Sequence, residues 1–476
     1  MENYDLIVIG TGSGMNYINP LINSNPEIKI AVIDKDEPGG ICLTRGCIPS
    51  KLLLYPAELV REVKKASDFG IEVEIKAIDF FGIMEGMRKK TGEDIEMIRE
   101  GLTDNPYLDY YNEIAEFISP YTLKVGEKTL HSDIIFLCTG SKPAVPPVKG
   151  LEEAGYLTSD TVLKLKECPG TLAILGGSYI AAEYGHFFSA MGAEVTVIGR
   201  NSRFLPQEEP EISVLAKLKM SEYMKILTDY EALEVIKEKN GKKTVVAKEK
   251  NTGEEVRITV DEILVATGRV PNTDILHPEK AGIKTDVQGW ILVDEYLETS
   301  EPNIWAFGDA NGKYLLKHVG NYESGIVYLN AFMKEKVKAD YHAVPHAVFS
   351  HPEIAGVGMG EEEAIKEYGE DRIVIGFKLF EDTAKGAAMK LQDYFIKVIL
   401  DSEEGKILGA HIIGPQASVL IHEIIPLMYT ESGSADPMVH CIDIHPSLNE
   451  VVKRAFYSRF SVEHYHHILK HLGLED

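Results

Sequence analysis

The stretch Asp5-Leu6-Ile7-Val8-Ile9-Gly10-Thr11-Gly12-Ser13-Gly14-Met15 decides the fold at the start of this chain. Its apolar residues predict a short buried strand, and three glycines follow where a strand must turn sharply into a helix. A second predicted strand over residues 28–33 ends at Asp34, an acid placed to bind ribose hydroxyls. The pattern predicts a dinucleotide-binding unit. The match to the G-x-G-x-x-G pattern is imperfect, because Met15 stands at the position of its third glycine. An ordinary strand–helix loop is therefore the alternative.

The same pattern returns in the middle of the chain. A predicted strand over residues 172–175 runs into Gly176-Gly177-Ser178-Tyr179-Ile180-Ala181, followed by a helix and a strand over residues 194–198. Both units close on a strand that ends in Thr-Gly, at Thr139-Gly140 and at Thr267-Gly268. Two nucleotide-binding units predict two nucleotide cofactors that exchange electrons, which favours an oxidoreductase.

Two cysteines lie just beyond the first unit, in Gly39-Gly40-Ile41-Cys42-Leu43-Thr44-Arg45-Gly46-Cys47-Ile48-Pro49-Ser50-Lys51. On a regular helix their Cα atoms would lie roughly 8–9 Å apart, whereas a disulfide tolerates only about 4.4–6.8 Å. Gly46 and Pro49 allow the distorted first turn that a bond would need. A short, strained cross-link is easily reduced, which suits a working disulfide. Two unrelated buried thiols are the alternative.

Composition and net charge indicate which classes of partner and which cellular compartment to expect. The 476 residues carry a formal net charge of −25 at pH 7, which argues against nucleic acid and anionic membranes as partners. Five cysteines are too few for a secreted disulfide framework. The N-terminus has no basic region followed by a long apolar segment. We therefore expect a cytoplasmic protein without a membrane span.

The later part of the chain has a different texture. Pro143, Pro146 and Pro147 mark a linker before the second unit. After residue 341, predicted strands (344–349, 372–379, 395–400 and 408–413) alternate with a predicted helix over 418–429 and contain no glycine-rich phosphate turn. The fold class is therefore α/β, with two Rossmann-like dinucleotide-binding domains (1–150 and 151–270), a central domain (271–340) and a C-terminal α+β interface domain (341–476).

Two histidine motifs lie in the C-terminal domain. Pro446 holds His445 extended, and Glu450 lies close enough along the chain to orient the imidazole. An isolated His-Pro is usually a turn, so this motif alone does not establish catalysis. In the tail, His467 and His471 share one helical face, but no third metal ligand is identified, and a solvated or interface helix is the expected interpretation.

Taken together, these residues resemble the class I FAD-dependent pyridine nucleotide–disulfide oxidoreductases, the family of dihydrolipoamide dehydrogenase and of glutathione, mycothione and mercuric reductases. The resemblance extends from Tyr4 to about Phe456. It rests on the cysteine block, the two Thr-Gly turns, the strand end at Gly308-Asp309 and the His-Pro motif, in this order. It implies FAD in the first unit, a nicotinamide nucleotide in the second, a central domain that completes the FAD site, and a C-terminal dimerisation domain.

The resemblance also implies a role for each site residue. Cys47 would be the thiol beside the flavin, and Cys42 the thiol that attacks the substrate disulfide. His445, oriented by Glu450, would be the acid and base for thiol exchange. Tyr179 would cover the nicotinamide pocket. Lys51 would lie beside the flavin, paired with Glu183, Asp309 would bind the ribityl chain, and Lys317 and His318 would pass close to the flavin ring. The other expected cofactor contacts are Gly10, Gly12, Gly14, Asp34, Thr139, Gly140, Gly176, Gly177, Arg200, Arg203 and Gly268. No residue is expected to bind a metal.

The choice of nucleotide depends on the end of the strand over residues 194–198. NAD enzymes of this family usually have Glu there, whose carboxylate binds the ribose 2′-hydroxyl and repels a 2′-phosphate. This chain has Gly199, with Arg200 and Arg203 nearby to pair with a phosphate. We expect NADPH rather than NADH.

The resemblance implies a homodimer with shared active sites and a small dithiol or disulfide as substrate. A dihydrolipoamide dehydrogenase-like activity is the first expectation. Asp443, where those enzymes usually have an earlier histidine, and Tyr179 are more similar to mycothione and glutathione reductases, the second expectation. Further alternatives are a core subunit that docks to lipoyl-bearing partners in an acyl-transfer complex and an NAD(P)H oxidase that does not use the thiols.

Overall fold

The first part of the chain folds as a parallel sheet with apolar strands. The protein was analysed as a computed structural model that describes residues 1–333 and 335–475. Strands Leu6–Ile9 and Ile30–Ile33 are buried at every position, because a parallel strand covered on both faces has no solvent side. The elements of this part are β1 (Glu2–Asn3), β2 (Leu6–Ile9), α1 (Ile18–Ser24), β3 (Ile30–Ile33), α2 (Gly40–Thr44), α3 (Cys47–Lys65), α4 (Phe80–Thr103), β4 (Leu108–Tyr111), β5 (Ala115–Ser119), β6 (Thr122–Val125), β7 (Lys128–His131), β8 (Ile135–Leu137) and β9 (Ser141–Pro143).

The second part repeats the parallel sheet and adds an antiparallel one. The helix Tyr179–Ala190, which follows the second glycine turn, packs against the strand Thr171–Leu175, and this strand is buried from its second residue onward. The elements are α5 (Leu151–Ala154), β10 (Leu157–Thr158), β11 (Thr171–Leu175), α6 (Tyr179–Ala190), β12 (Glu194–Ile198), α7 (Pro210–Met220), β13 (Lys225–Leu227), β14 (Tyr230–Lys237), β15 (Lys243–Glu249), β16 (Glu255–Val260), β17 (Glu262–Val265) and β18 (Arg269–Pro271).

The last part is a helical segment followed by a six-stranded antiparallel sheet. Its elements are β19 (Ile304–Ala306), α8 (Lys317–Phe332), β20 (Pro345–Val348), β21 (Ile354–Gly358), α9 (Glu361–Tyr368), β22 (Ile373–Leu379), α10 (Ala384–Ala388), β23 (Phe395–Asp401), β24 (Ile407–Ile413), α11 (Ala417–Leu420), α12 (Ile425–Met428), α13 (Asp436–His440), α14 (Glu450–Tyr457), β25 (Arg459–Ser461) and α15 (Val462–Leu472).

The sheet orders show how the chain returns to its first unit. The first parallel sheet has the order β19-β8-β2-β3-β4, so a strand from beyond residue 300 completes it. The second has the order β10-β17-β11-β12-β13. In both sheets the Thr-Gly strand lies beside the first strand of its unit, as β8 beside β2 and β17 beside β11. The interface sheet has the order β20-β21-β24-β23-β22-β25. The expected α/β class with two Rossmann-like units is confirmed.

Several predicted elements differ from the structure. The predicted helical segment over 418–429 is interrupted, because the chain forms two short α-helices, α11 and α12, with a 3-10 turn between them. Pro426, which lacks an N–H donor, starts the second one. The long helix after the cysteine loop begins at Cys47 itself and runs to Lys65. Among the helices of residues 1–333 and 335–475, none combines the length and apolarity that crossing a membrane requires.

Candidate active site

An elongated cleft runs along the carboxyl ends of the strands of the first parallel sheet. Ligands of open α/β sheets bind at this edge. The lining comes from four strand ends and from the cysteine loop, and includes residues 9–13, 33–37, 39–42, 45–47, 138–140, 307–309 and 315–317. The expected residues Gly10, Gly12, Asp34, Thr139, Gly140, Asp309 and Lys317 are among them.

The first glycine of each unit is required by its backbone. Gly10 has φ +110°, and a Cβ there would lie 2.1 Å from the carbonyl oxygen of Cys138. Gly176 has φ +121°, and a Cβ there would lie 2.1 Å from the carbonyl oxygen of Ala266. In each unit the glycine turn therefore packs directly on the strand that ends in Thr-Gly, which keeps the start of the following segment open for a ligand.

Asp34 holds the glycine turn as well as lining the cleft. One of its carboxylate oxygens accepts the backbone N–H of Thr11 at 2.8 Å, and the other accepts the N–H of Asp36 at 3.0 Å. Gly14, also expected at the cofactor, is buried against Val8 and Cys138 and so fixes the turn on the sheet. The structure therefore gives both residues a positioning role around the cleft.

The two cysteines lie on either side of a break in the helix. Cys42 belongs to α2 and Cys47 is the first residue of α3. At Gly46, between them, an added Cβ would lie 2.9 Å from the carbonyl oxygen of Ile41, so only glycine fits this close turn. Both cysteines are free, and both line the cleft. The break provides the local distortion that the sequence predicted.

The two thiols differ sharply in acidity. The hydrogen bond from Cys42, aided by the charge of Lys51 and opposed by burial, lowers the pKa of Cys47 to about 7. The same hydrogen bond, together with burial, raises the pKa of Cys42 far above its ordinary value. At neutral pH the reduced pair therefore carries its negative charge on Cys47, at the N-terminus of a 19-residue helix.

Lys51 and Glu183 form the ion pair that the resemblance implied. The ammonium lies 2.9 Å and 2.8 Å from the two carboxylate oxygens. Glu183 also accepts the backbone N–H of Phe349 at 3.1 Å, and Lys51 lies 4.7 Å from the centre of the Phe349 ring. Helix α3, helix α6 and the end of β20 meet at this pair, one turn beyond Cys47.

Basic side chains surround the other end of the cysteine loop. Lys317 donates to Ser13 Oγ at 3.0 Å, and burial lowers the pKa of its ammonium. Asp309 accepts a hydrogen bond from Ser141, whose hydroxyl in turn accepts from Arg269 Nε at 2.7 Å. His318 lies outside the lining of the cleft, with its Nε2 2.8 Å from the carbonyl oxygen of Pro345.

His445 and Glu450 are paired at the surface of this chain. His445 Nδ1 lies 2.9 Å from Glu450 Oε1, and the side chain of His445 is 67% exposed. The hydrogen bond from His445 lowers the pKa of the Glu450 carboxyl. All described residues that line the cleft precede residue 321, so His445 does not contribute to the cleft of its own chain.

Most of this chain matches one family of proteins. Residues 4–327 match the family described as pyridine nucleotide-disulphide oxidoreductase, and residues 344–456 match the dimerisation domain of the same family. The chain belongs to this family. FAD and a pyridine nucleotide are the cofactors that membership implies.

Relatives of this oxidoreductase have several different names. Mycothione reductase of Mycobacterium tuberculosis is 33% identical over 473 residues, covering 96% of this chain and 99% of that protein. Dihydrolipoyl dehydrogenase of Chlamydia trachomatis is 34% identical, covering 94% and 95%. Mercuric reductase of Staphylococcus aureus is 35% identical, covering 88% and 76%. The HOCl-induced flavoprotein disulfide reductase RclA of Escherichia coli superposes with a TM-score of 0.84 at 28% identity, covering 96% and 99%.

The nucleotide-binding unit of this oxidoreductase has no carboxylate at the end of β12. Gly199 stands there, with its backbone against Gly177 in the second glycine turn. Arg200 follows with an exposed side chain, and Arg203 is partly buried. Tyr179 begins α6, and Gly268 ends the unit with φ +112°.

Sequence reasoning missed Ser141, Arg269 and the partners of Arg45. Arg45 Nη2 lies 2.6 Å from Asp36, which lines the cleft, and its Nε lies 3.1 Å from Asp160 in the second unit, so this arginine joins the cysteine loop to both. One signal was present: Ser141 and Arg269 each follow a Thr-Gly directly, and β9 pairs with β18 there. The carboxylates that pair with Arg45 are remote in sequence from it or unmarked by any motif.

Two clusters bear on metal binding. Glu209, Glu211 and Glu361 are buried close together, but the ammonium of Lys397 lies among them at 2.5–2.7 Å and neutralises part of their charge. In the tail, His467 Nε2 and His471 Nε2 lie 3.2 Å apart on the exposed side of α15. Among the described residues, no third metal-binding side chain joins this pair.

Proposed function

We propose that this protein is a flavin-dependent disulfide oxidoreductase that passes electrons from a nicotinamide nucleotide, through FAD, to the Cys42–Cys47 pair and then to a small disulfide, or in the reverse direction. One observation carries the proposal. Two free cysteines, Cys42 and Cys47, line the cleft on either side of a break in the helix, and the pKa of Cys47 is lowered to about 7 whereas that of Cys42 is raised.

The cleft has features that FAD requires. Gly10 lets the glycine turn pack directly on the backbone of Cys138, and Gly12 and Gly40 meet with only backbone between them. Lys317 and Arg269 supply positive charge beside Asp309. When bound, FAD accepts a hydride from the nucleotide and delivers an electron pair to the disulfide. Cys47 would lie beside it, with Lys51 offsetting the thiolate charge.

The thiol exchange can be written from the side chains alone. Cys42 Sγ, after losing its proton to a base, attacks one sulfur of the substrate disulfide and releases the first thiolate, which takes up that proton. Cys47 Sγ then attacks Cys42 Sγ, releases the second substrate thiolate and leaves the Cys42–Cys47 disulfide. His445 of the partner subunit is the proposed base and acid, and Glu450 of the partner subunit holds its ring.

A homodimer would bring that histidine to the cysteine pair. The interface domain exposes apolar side chains beside His445, with Ile442 99% and Ile444 79% exposed. Helix α3 exposes a second apolar row directly after Cys47, formed by Ile48, Leu52, Tyr55 and Leu59. Exposed apolar patches of this kind are typical of protein–protein contacts. The match to a dimerisation domain over residues 344–456 supports the same assembly.

Dihydrolipoamide is our first candidate substrate, either free or on a lipoyl-bearing protein. The relative named dihydrolipoyl dehydrogenase, similar over 94% of this chain, supports it. A low-molecular-weight disulfide of the mycothione or glutathione type is the second candidate. Asp443 favours it, because this carboxylate pairs with Lys453 at 3.0 Å where dihydrolipoamide dehydrogenases usually have a histidine. We propose NADPH as the nucleotide.

A turnover panel tests these proposals. The FAD-loaded protein is assayed with lipoamide, dihydrolipoamide, mycothione and glutathione disulfide, each with NADH and NADPH. We expect one disulfide or dithiol to be turned over well above the others, with loss of that activity in Cys42→Ser. Nucleotide oxidation that survives loss of both cysteines would instead indicate an NAD(P)H oxidase. Activity only with a lipoyl-bearing protein would indicate a subunit of an acyl-transfer complex.

A further inference from the structure

A carboxylate without solvent contact lies behind the tyrosine that begins α6. The side chain of Glu208 is 0% exposed, and its two oxygens lie 3.0 Å and 3.1 Å from His346 Nε2. Burial, and then the charge of Glu208 and a hydrogen bond to it, raise the pKa of the Tyr179 hydroxyl far above its ordinary value. The Tyr179 and His346 rings are stacked, with centroids 6.1 Å apart and planes inclined by 18°. Glu208 therefore connects the tyrosine to the imidazole.

The three side chains come from two domains. Tyr179 and Glu208 belong to the nucleotide-binding unit, whereas His346 lies on β20 of the interface sheet. One turn further along α6, Glu183 accepts the N–H of Phe349, the residue after β20. The first turn of α6 is thus attached to β20 at both ends, by His346 near Tyr179 and by Phe349 near the Lys51–Glu183 pair.

A buried carboxylate needs a donor for each of its oxygens, because water cannot supply one. His346 Nε2 reaches both oxygens of Glu208, and the Tyr179 ring stacks on the same imidazole. Removing Glu208 would free the imidazole to turn, and removing His346 would take away the ring on which Tyr179 stacks. This buried pair joins the two domains, and it also contacts the ring of Tyr179 at the start of α6.

We propose that Glu208 and His346 are positioning residues that hold Tyr179 over the nicotinamide side of the cleft, and so set the affinity for the reduced nucleotide and the rate at which it reduces the flavin. The inference rests on the proposed function, since it requires the nucleotide to bind beside α6. Both residues act by positioning Tyr179, and neither acts on the thiols.

The pair should respond to pH. Glu208, Tyr179 and His411 are the titratable side chains around the imidazole, the last from β24 across Gly356. Burial lowers the pKa of His346, but the hydrogen bond and charge of Glu208 outweigh it, so the pKa is raised above its ordinary value. The charged pair is present below that raised pKa and is lost as the pH rises through it. Nucleotide affinity should fall over the same range.

The test uses FAD-loaded protein and two readouts, the Kd for NADPH and the rate of flavin reduction by NADPH without oxygen. We compare the wild type with Glu208→Gln, His346→Gln, Tyr179→Phe and the double variant Glu208→Gln/Tyr179→Phe. Each single change at Glu208 or His346 should weaken binding or slow reduction about tenfold. His346→Gln keeps a donor but cannot titrate, so it should also flatten the pH profile.

The double variant separates positioning from structure. If Glu208 acts through the phenol, Glu208→Gln adds nothing once Tyr179 is Phe. His342→Gln is the matched control, because His342 lies in the same segment but pairs with exposed Asp340 at 2.8 Å. It should behave like the wild type in both readouts.

Three results would overturn the inference. They are wild-type binding and reduction in both Glu208→Gln and His346→Gln, an undiminished effect of Glu208→Gln in the Tyr179→Phe background, and an unchanged pH profile in His346→Gln. Failure of the proposed function would be different, because the flavin of the wild type would then be reduced by neither nucleotide. If Glu208→Gln does not fold, His346→Gln alone decides through its pH profile.

Discussion

At the scale of single residues, the chemistry of the cleft depends on which thiol holds the negative charge. The hydrogen bond from Cys42 favours the thiolate of Cys47, and the ammonium of Lys51 adds to this effect against the opposing effect of burial. The other four thiols all have raised pKa values, Cys42 through its hydrogen bond to Cys47, Cys138 and Cys168 through burial, and Cys441 through its hydrogen bond to Asp443. Near neutral pH, one thiolate should therefore form in the whole chain.

We predict that the thiolate absorbance of the fully reduced protein rises with a midpoint near pH 7, the pKa of Cys47. Cys42→Ala should move this midpoint upward, because the donor that stabilises the thiolate is gone. Cys168→Ala is the control and should leave it in place, since the pKa of Cys168 is about 11. An unmoved midpoint in Cys42→Ala would show that the hydrogen bond does not set the acidity.

At the scale of elements, the two parallel sheets differ at the end of their second strands. β3 ends before Asp34, whose carboxylate holds the first glycine turn, whereas β12 ends before Gly199, which leaves that place empty of charge. The nearest atoms to a Cβ at Gly199 would be 3.4 Å away, an ordinary contact. The second unit can therefore accept a side chain at this position without strain.

We predict that Gly199→Glu shifts the preference of the enzyme toward NADH. The new carboxylate would bind a ribose 2′-hydroxyl and repel a 2′-phosphate, so the ratio of kcat/KM for NADH over NADPH should rise about tenfold or more. Arg257→Gln, on the exposed outer face of β16, changes the net charge of the same domain by the same amount and should leave the ratio unchanged. A wild-type enzyme that already prefers NADH tenfold would end the proposal for NADPH.

At the scale of the whole molecule, a buried ionic cluster joins the nucleotide-binding unit to the interface domain. Lys397 is 1% exposed and lies between Glu209 and Glu211, at the start of α7, and Glu361, at the start of α9. Helix α15, beyond the region that matches the family, adds Tyr465, whose hydroxyl donates to Glu211 at 2.6 Å. The cluster therefore fixes the position of the second unit relative to the interface sheet.

We predict that Lys397→Met destabilises the FAD-loaded protein by about 3–5 kcal/mol, because three buried carboxylates lose their cation. The urea midpoint of unfolding measures the effect. Lys406→Met is the control: it removes an exposed ion pair with Glu404 and should not move the midpoint. Equal midpoints for the two variants would mean that the buried cluster contributes no more than a surface pair.

We further predict that each active site is shared between two chains. A Cys42→Ser subunit combined with a His445→Gln subunit, each inactive as a homodimer, gives one site with both defects and one with neither. About half of wild-type activity should therefore return in the mixed dimer. The matched control pairs Cys42→Ser with Cys47→Ser, which leaves every site damaged. An inactive first mixture, assembled and loaded with FAD, would rule out shared sites.

By itself, the sequence determined the fold class, the family and most of the cleft. These signals are local: the glycine turns after Ile9 and Leu175, the Thr-Gly strand ends and the cysteine block each fit within a few consecutive residues. A local signal depends on backbone geometry that neighbouring residues set, so it is readable without knowing the rest of the fold. The Lys51–Glu183 pair was available only through the resemblance to a family.

Only the tertiary structure decided the contacts that join distant segments. Arg45 pairs with Asp160, Glu208 pairs with His346, and Lys397 pairs with carboxylates from two domains. No periodicity marks these partners, because each pair forms only after separate sheets have packed together. Charge pairs between domains depend on the assembled fold, so no local sequence pattern predicts them.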